Sequence, residues 1–486
     1  MNILFETQLA ITSVEGRLVF CQAPVHLETE PVILPDPVLD GKRMQVKTVL
    51  QDGGRYRMWY YAFPQYLSGG DHAKGRYITA CAESDDGRIW RRPALGLVKA
   101  GPKNNNYCDL NVDSIFIDPD APANGRYRAT TYRPQPLGDD ADHRGLGSCF
   151  YTAHSSDGFH WELDSRTPRW YSGDVITCAY HSLQQRGLAT IKYVRLVNGM
   201  HRRAVWTADY QKGVWGDPVC ALTPDALDDL LAQTRGYNST DFYSMALLPA
   251  GAAFVGFVLN FRHHLPLSST PPQYYGIYGG SDITLTYQQQ PGDRWLQLAG
   301  RPSLLPANVP SWATGWIGPC SSPVAVGDEH WLFVACQSFS HAWELAPDWR
   351  IDPKWARIVE AQKYCGVTGL VRWPKWRLMG CHAEPEGALD IELGKIAAPS
   401  RLVLNYATKP GGNLRVQLYS RDGRLDKTPV EGRSEPDEII PLEGDHLEQV
   451  VAWKTGAVIP PGAGRQLVAR ISMENAALYA WTIQPV

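Results

Sequence analysis

The sequence of 486 residues lacks several features that would point to particular functions. No apolar run reaches the roughly 18 residues that a membrane-spanning helix needs, so we expect no membrane partner. The formal net charge is only −3, with 47 Lys and Arg against 50 Asp and Glu, so no basic field is available to attract nucleic acid. Metal-binding motifs, phosphate-binding glycine loops and nucleophile elbows are also absent. We therefore expect no cofactor and no bound metal.

The chain also lacks a secretory signal pattern. Glu6 interrupts the apolar part of the N-terminus, no basic segment precedes it, and no small-residue cleavage site follows. The 10 cysteines are scattered without a C-x-x-C pair and several alternate with apolar residues, which is typical of buried free thiols. We expect a cytoplasmic location, unless a leader has already been removed. The sequence does not indicate an oligomeric state.

Turn-forming and aromatic residues, by contrast, are abundant. The chain has 44 Gly, 36 Pro, 17 Trp and 23 Tyr, and aromatic residues make up 11% of it. This composition favours many short strands joined by turns over helical bundles. An all-β fold is the prediction.

One motif occurs twice and sets the architecture. Ser84-x-Asp86-Gly87-x-x-Trp90 returns as Ser155-x-Asp157-Gly158-x-x-Trp161, and each copy follows an alternating strand pattern. The Asp can accept hydrogen bonds from turn amides, the Gly supplies a backbone shape that a Cβ disfavours, and the Trp packs back between strands. Such a loop resembles the Asp box of sialidase-like β-propellers, so we predict a propeller.

The strand patterns divide the chain into three parts. Residues 1–40 form an N-terminal segment that we expect to run extended along the propeller and to close it. Residues 41–394 contain five predicted blades of four strands, with Arg377 to Cys381 as the last strand of the fifth; six blades remain an alternative. Residues 395–486 alternate strongly and predict a small C-terminal β-sandwich. A helical insertion is predicted from Thr223, as its N-cap, to Leu231.

A five-bladed propeller followed by a sandwich resembles the glycoside hydrolases of families 32, 43 and 68, which include invertases, arabinanases and levansucrases. The sequence is similar over most of its length to bacterial proteins of a family-32-like branch, through Tyr56-Arg57-Met58-Trp59-Tyr60, AESDDGRIWRRP, LGLVKAGPKNNNY and NAALYAWTI. This resemblance implies hydrolysis of an oligosaccharide or polysaccharide by acids that project into a central funnel near the starts of the innermost strands. The W-M-N-D-P-N-G, R-D-P and E-C-P motifs of family 32 are absent, so only position can nominate these acids.

Glycosidic cleavage needs an acid and a carboxylate about 5–10 Å apart. Asp113 directly precedes one predicted inner strand and Asp241 precedes another, so they are the leading catalytic pair. Glu344 is a loop acid that could complete the set. The structural alternative for each is a loop cap or an ion pair with a nearby arginine.

Substrate contacts are predicted at the same end of the inner strands. Aromatic faces stack on sugars, and guanidinium and imidazole groups bind hydroxyls or carboxylates. The alternative for each residue is packing or hydrogen bonding within the fold. The candidates are Asp109, His181, Arg262, His263, Trp316 and His341.

Two other functions remain open from the sequence. The missing family motifs are compatible with a non-catalytic carbohydrate-binding propeller. The histidines and arginines are compatible with a polysaccharide lyase, in which a cation neutralises a uronate while a base removes its C5 proton. The leading hypothesis is a glycoside hydrolase that cleaves a terminal bond of an oligosaccharide.

Overall fold

The computed structural model describes residues 1–6, 8–67, 77–137, 147–197, 200–263, 279–341, 364–421, 427–461 and 464–486. These residues form six β-sheets, of which five are the blades of a propeller. The prediction of an all-β fold with a five-bladed propeller is confirmed. All ten cysteines are free thiols.

Each blade is an antiparallel sheet whose first strand lies nearest the propeller axis. Blade one has β4 (Met44–Asp52), β5 (Arg55–Ala62) and β6 (Ile78–Ser84). Blade two has β7 (Ser114–Ile117), β8 (Tyr127–Arg133), β9 (Cys149–Ser155), β10 (Glu162–Leu163) and β11 (Trp170–Tyr171). Blade three has β12 (Ile176–His181), β13 (Arg186–Val197), β14 (Met200–Gln211), β15 (Val214–Trp215) and β16 (Val219–Leu222).

The last two blades follow the same plan. Blade four has β17 (Ser239–Ala250), β18 (Ala253–His263), β19 (Gly279–Tyr287) and β20 (Leu296–Gln297). Blade five has β21 (Trp316–Pro319), β22 (Val324–Val326), β23 (Glu329–Gln337) and β24 (Val367–Pro374). Five inner strands, β4, β7, β12, β17 and β21, therefore surround the axis and begin at one end of it, which we call the mouth.

Hydrogen bonds between side chains and backbone groups of different blades hold the ring together at its centre. The pairs are Thr48 with Ser321 at 3.0 Å, Ser114 with Ser321 at 2.6 Å, the Cys178 amide with Ser114 at 2.7 Å, Thr190 with the Met245 carbonyl at 2.8 Å, and Ser322 with the Leu247 carbonyl at 2.7 Å.

The two repeated turns lie at the opposite end, which we call the turn end. In the second copy, Asp157 Oδ1 accepts the amide N–H groups of Phe159 at 2.8 Å and His160 at 2.9 Å. Gly158 has a φ of 84°, and its carbonyl accepts the indole N–H of Trp59 from blade one at 2.8 Å. The copy at Asp86 has the same amide bonds, so the hydrogen bonding predicted for these turns is confirmed.

The N-terminal segment belongs to two sheets. β1 (Asn2–Ile3) and β2 (Ile11–Gln22) pair with strands of the sixth, C-terminal sheet, whereas β3 (His26–Leu27) pairs with β24 as the outer strand of blade five. The first residues of the chain thus join the last blade to the C-terminal sheet.

The C-terminal sheet has seven strands: β1, β2, β25 (Met379–Lys395), β26 (Ser400–Arg421), β27 (Lys427–Pro429), β28 (Asp445–Val450) and β29 (Gln466–Pro485). The assignment of Arg377 to Cys381 to blade five is wrong, because Met379 begins β25, which pairs with β2 and β29. Both halves of β26 contribute to one buried cluster, through Leu402, Leu404, Leu414 and Val416. The two-layered sandwich and the domain limits 1–40, 41–394 and 395–486 stay predictions.

Within the described residues there is one α-helix, α1 (Ala226–Gln233). The helix was predicted, but Thr223 is not its N-cap: the side chain of Asp225 accepts the Leu227 N–H at 2.9 Å, and Asp228 completes the capping box. The described short 3₁₀ turns are Gln65–Leu67, Ala123–Gly125, Ser182–Gln184, Ser311–Ala313 and Pro436–Glu438.

Candidate active site

Charged and aromatic side chains from all five blades meet at the mouth. Most lie just before an inner strand or near its start, and the others lie on the second or third strand of blade three. They are Lys47, Asp113, Asp174, Lys192, Arg203, Asp241, Tyr243 and Trp316.

Asp113 is almost completely buried between blades one and two. Its Oδ1 accepts the Tyr61 hydroxyl at 2.5 Å and its Oδ2 accepts the backbone N–H of Tyr132 at 2.6 Å. Burial raises the pKa of the Asp113 carboxyl above its ordinary value, and the Lys47 ammonium at 3.7 Å offsets only part of that effect. Asp113 is therefore suited to hold a proton.

The Tyr61 and Tyr77 hydroxyls interact, and this interaction contributes to the displacement of the pKa of each. The two rings are stacked with centroids 3.9 Å apart. Tyr77 also lines a cavity of about 570 Å³ between blades one and two. Asp113, Tyr61 and Tyr77 thus form a line of hydroxyl and carboxyl groups from the buried acid to open space.

Asp174 is the acid that the sequence analysis missed. It lies two residues before β12, much as Asp113 lies one residue before β7, and its side chain is 53% exposed. The surrounding protein displaces water from Asp174, which opposes its charge. The ion pair with Lys192 outweighs this effect and lowers the pKa of Asp174 to about 2. The position before an inner strand was the signal that could have identified it.

The two carboxyl groups influence each other. The negative charge of Asp174 adds to the rise in the pKa of Asp113, and both charges raise the pKa of Tyr77. Asp113 and Asp174 therefore share one electrostatic environment while their own pKa values are displaced in opposite directions.

Asp241 has no exposed surface and is enclosed by cations. Its Oδ1 accepts Arg202 Nε at 3.1 Å, its Oδ2 accepts Arg203 Nη1 at 2.7 Å, and His263 Nε2 lies 3.5 Å from Oδ2. Burial opposes its charge, but His263 and the two arginines together lower the pKa of Asp241. This geometry makes Asp241 a buried counter-ion that fixes the two arginines.

Aromatic rings form the wall between blades four and five. Tyr243 and Trp316 meet edge to face with centroids 5.3 Å apart, and His341 accepts or donates a hydrogen bond at the Tyr243 hydroxyl at 3.1 Å. The Lys192 ammonium lies 3.7 Å from the centroid of the Tyr243 ring, and the Arg203 guanidinium lies 5.4 Å from it. Tyr243 therefore touches both cations that hold the mouth carboxylates.

A second cavity, of about 50 Å³, lies on the axis below this wall, and we call it the axial cavity. Its lining comes from four of the five blades. It includes Gln45, Lys47, Val175, Thr177, Tyr243 and Trp316.

Of the predicted substrate contacts, Trp316, His263 and His341 lie at the mouth, whereas three others lie elsewhere or are occupied. His181 is the last residue of β12, at the turn end, so its placement at the start of that strand is wrong. Asp109 Oδ1 accepts the Trp161 amide of the second repeated turn at 2.9 Å. Arg262 is buried and paired with Asp282 at 3.0 Å.

Glu344 lies outside the described residues. Among the described residues, no group of three or more His, Cys, Asp or Glu side chains is placed to hold a metal ion. In the same part of the chain, no helix is both long and apolar enough to cross a bilayer.

Comparison with known proteins yields similar structures but no family. No protein-family model matches the chain, and no curated protein matches it. A glycosyl hydrolase from Bacteroides ovatus is 13% identical with a TM-score of 0.41, over 73% of this chain and 95% of its own. An N-acetylgalactosamine deacetylase from F. plautii, in complex with blood group B trisaccharide, is 15% identical with a TM-score of 0.42, over 75% and 96%. A GH130-family structure, whose family is described as mannoside phosphorylases that include glycoside hydrolases, is 13% identical with a TM-score of 0.39, over 76% and 96%.

Proposed function

We propose that this protein is a glycoside hydrolase that cleaves a glycosidic bond of an oligosaccharide at the mouth of its propeller. The observation that carries the proposal is the pair of carboxyl groups before adjacent inner strands, Asp113 desolvated and Asp174 ionised by Lys192. Such a division provides one proton donor and one carboxylate, which are the two groups that glycosidic cleavage requires.

In this mechanism Asp174 is the carboxylate that attacks the sugar or activates a water, because its side chain is the exposed one. Asp113 holds the proton for the leaving oxygen. Asp113 is buried, so the transfer runs through Tyr61 and Tyr77. When Asp113 carries the proton, its Oδ1–H donates to the Tyr61 oxygen, which frees the Tyr61 O–H to donate to Tyr77. At cleavage Tyr77 gives its hydroxyl proton to the leaving oxygen, Tyr61 replaces that proton, and Asp113 replaces the proton of Tyr61 and becomes ionised.

Asp241 is a positioning residue in this proposal and does not touch the sugar. It holds Arg203 against Tyr243, and Tyr243 in turn contacts Lys192, the partner of Asp174. Trp316 and Tyr243 offer the aromatic surface on which a sugar ring can stack.

The test is product release from a panel of aryl glycosides and plant or algal oligosaccharides, first by the unchanged protein. For the substrate that is cleaved, Asp174→Asn and Asp113→Asn should each lower kcat by about 10²–10⁴-fold, the usual contribution of an acid or base. Tyr77→Phe should lower kcat as well, because it interrupts the proton path without removing either carboxyl group.

Asp217→Asn is the matched control, since Asp217 is an exposed blade-three carboxylate that pairs with Arg169. It should leave kcat unchanged. Hydrolysis that persists at the normal rate in a folded Asp174→Asn variant would refute the proposed role of Asp174. Binding of oligosaccharides without any product would support a recognition protein, and an ultraviolet-absorbing unsaturated product would support a lyase.

A further inference from the structure

Lys47 differs from the other cations at the mouth in its partners. Lys192 is in contact with Asp174, and Arg203 donates to Asp241 at 2.7 Å. Lys47 Nζ lies 3.7 Å from its nearest described carboxylate oxygen, which belongs to Asp113 and is beyond hydrogen-bond distance.

That oxygen is already occupied. Asp113 Oδ1 accepts the Tyr61 hydroxyl at 2.5 Å, and Oδ2 accepts the Tyr132 amide at 2.6 Å. Lys47 Nζ therefore makes no hydrogen bond within the described residues, although an ammonium has three N–H groups to donate.

The Lys47 side chain is nevertheless only 11% exposed. The small exposed part of Lys47 leaves its ammonium open to an acceptor from outside the protein, and an ammonium with so little solvent around it gains from one. The Tyr61 ring, whose centroid lies 4.8 Å from Nζ, stabilises the charge in part.

Space for the missing acceptor lies next to Lys47. The axial cavity has a volume of about 50 Å³, and one water needs roughly 10–15 Å³ of such space. A carboxylate group fits within that volume. Gln45 and Thr177 add polar groups to the lining, which also includes Trp316 and Tyr243.

The charges at the mouth also favour an anionic ligand. Burial keeps the pKa of Asp113 raised. When Asp113 holds its proton, four cationic side chains, Lys47, Lys192, Arg202 and Arg203, face three carboxylates, Asp174, Asp229 and Asp241. An incoming anionic group would restore neutrality.

We propose that Lys47 and the axial cavity form a subsite for the carboxylate of an acidic sugar, so that the substrate of the site is a uronate-containing oligosaccharide. This inference rests on the proposed function, because it assigns the substrate class of the same mouth. Its decisive contact is the salt bridge from Lys47 Nζ to the sugar carboxylate.

The experiment measures binding, so that it does not depend on catalysis. Sulfur-linked trisaccharides, which resist hydrolysis, are titrated into the protein in pairs that differ only at the terminal sugar: glucuronate against glucose, and galacturonate against galactose. In at least one pair the acidic member should bind about 30-fold more tightly, as expected for a charge-assisted hydrogen bond.

Lys47→Met should remove that preference, lowering the affinity for the acidic member about 30-fold while the neutral member changes less than about 2-fold. The control Lys409→Met removes an exposed lysine that pairs with Glu384 in the C-terminal sheet, and it should change neither affinity. The pairs of ligands also test the contact without any mutation, in case Lys47→Met does not fold.

The proposal is overturned if neither acidic trisaccharide binds more tightly than its neutral partner, or if Lys47→Met weakens both members of a pair equally. A 6-sulfated trisaccharide that binds more tightly than the uronate would overturn the assignment to a carboxylate. Lys47-dependent binding without cleavage of the oxygen-linked counterparts would refute hydrolysis and leave the subsite intact. Cleavage of neutral sugars alone would leave hydrolysis intact and refute the subsite.

Discussion

The two ends of the propeller use aspartate in opposite ways. At the turn end, Asp157 accepts the amides of Phe159 and His160, two and three residues further along the chain. At the mouth, Asp113 accepts the hydroxyl of Tyr61, 52 positions away in another blade. Local partners give a motif that repeats in the sequence, whereas distant partners give a site that the fold must assemble.

The largest effect on stability should come from the mouth. Asp241→Asn removes the buried carboxylate that accepts Arg202 Nε and Arg203 Nη1 and lies beside His263, and breaking such a buried pair costs about 3–5 kcal/mol. Urea unfolding should show this loss. A loss below about 1 kcal/mol would mean that water reaches the cluster and that the two ends do not differ in this respect.

A smaller loss is expected from the glycine of a repeated turn. Gly158 has a φ of 84°, and a Cβ placed on it would lie 2.8 Å from the Trp59 ring of blade one. Gly158→Ala should destabilise by about 2–3 kcal/mol through backbone strain and the displaced indole.

Gly213→Ala is the matched control, because Gly213 has a φ of 82° but no neighbouring atom within 4 Å of the added Cβ. Gly213→Ala should lower the free energy of unfolding by about 1 kcal/mol, because only the backbone strain at the positive φ contributes. Equal losses for the two variants would show that contact between blades contributes nothing at this turn.

Removing the Asp157 carboxylate should lower the free energy of unfolding by still less, and the size of this loss should depend on pH. The pKa of Asp157 is lowered to about 2, since its amide bonds outweigh the burial that opposes its charge. The stabilisation is therefore complete above the ordinary value near 4 and is lost as pH falls towards about 2.

Asp157→Ala should destabilise by about 1–2 kcal/mol at neutral pH, as for the loss of a capping side chain. Its unfolding free energy should also vary less between pH 4 and pH 2 than that of the unchanged protein. Activity should be unaffected, and a loss of kcat would contradict the separation of the two ends.

The smallest effect concerns the pH profile of hydrolysis on a neutral substrate. Activity should fall as pH rises through the raised pKa of Asp113, because the proton donor is then lost. Lys47 lowers that pKa, so Lys47→Met should move the alkaline limit upward by about 0.5–1 pH unit. A downward shift would contradict the assignment of Asp113 as the acid.

Short-range patterns predicted the fold well. Alternation located most blade strands, and the spacing from Ser84 to Trp90 identified a turn whose bonds all lie within a few residues. Alternation alone could not assign Arg377 to Cys381 to a sheet, because a strand of the C-terminal sheet and a strand of blade five look the same in sequence.

The site was harder to predict, because it depends on which end of a strand faces the mouth. Asp113 was found from its position before β7, but His181 was chosen at the wrong end of β12 and Asp174 at the right end was missed. The pairing of Asp174 with Lys192 and of Asp241 with Arg203 joins residues from different strands, which no spacing in the sequence reveals.

The double role of the N-terminal segment has a consequence for folding. Leu27 pairs with Val371 and Asn2 pairs with Trp481, so both ends of this segment depend on strands that are far away in the sequence. Because strand pairing over such separations is slow to form, we expect the outer edge of blade five to be covered late in folding.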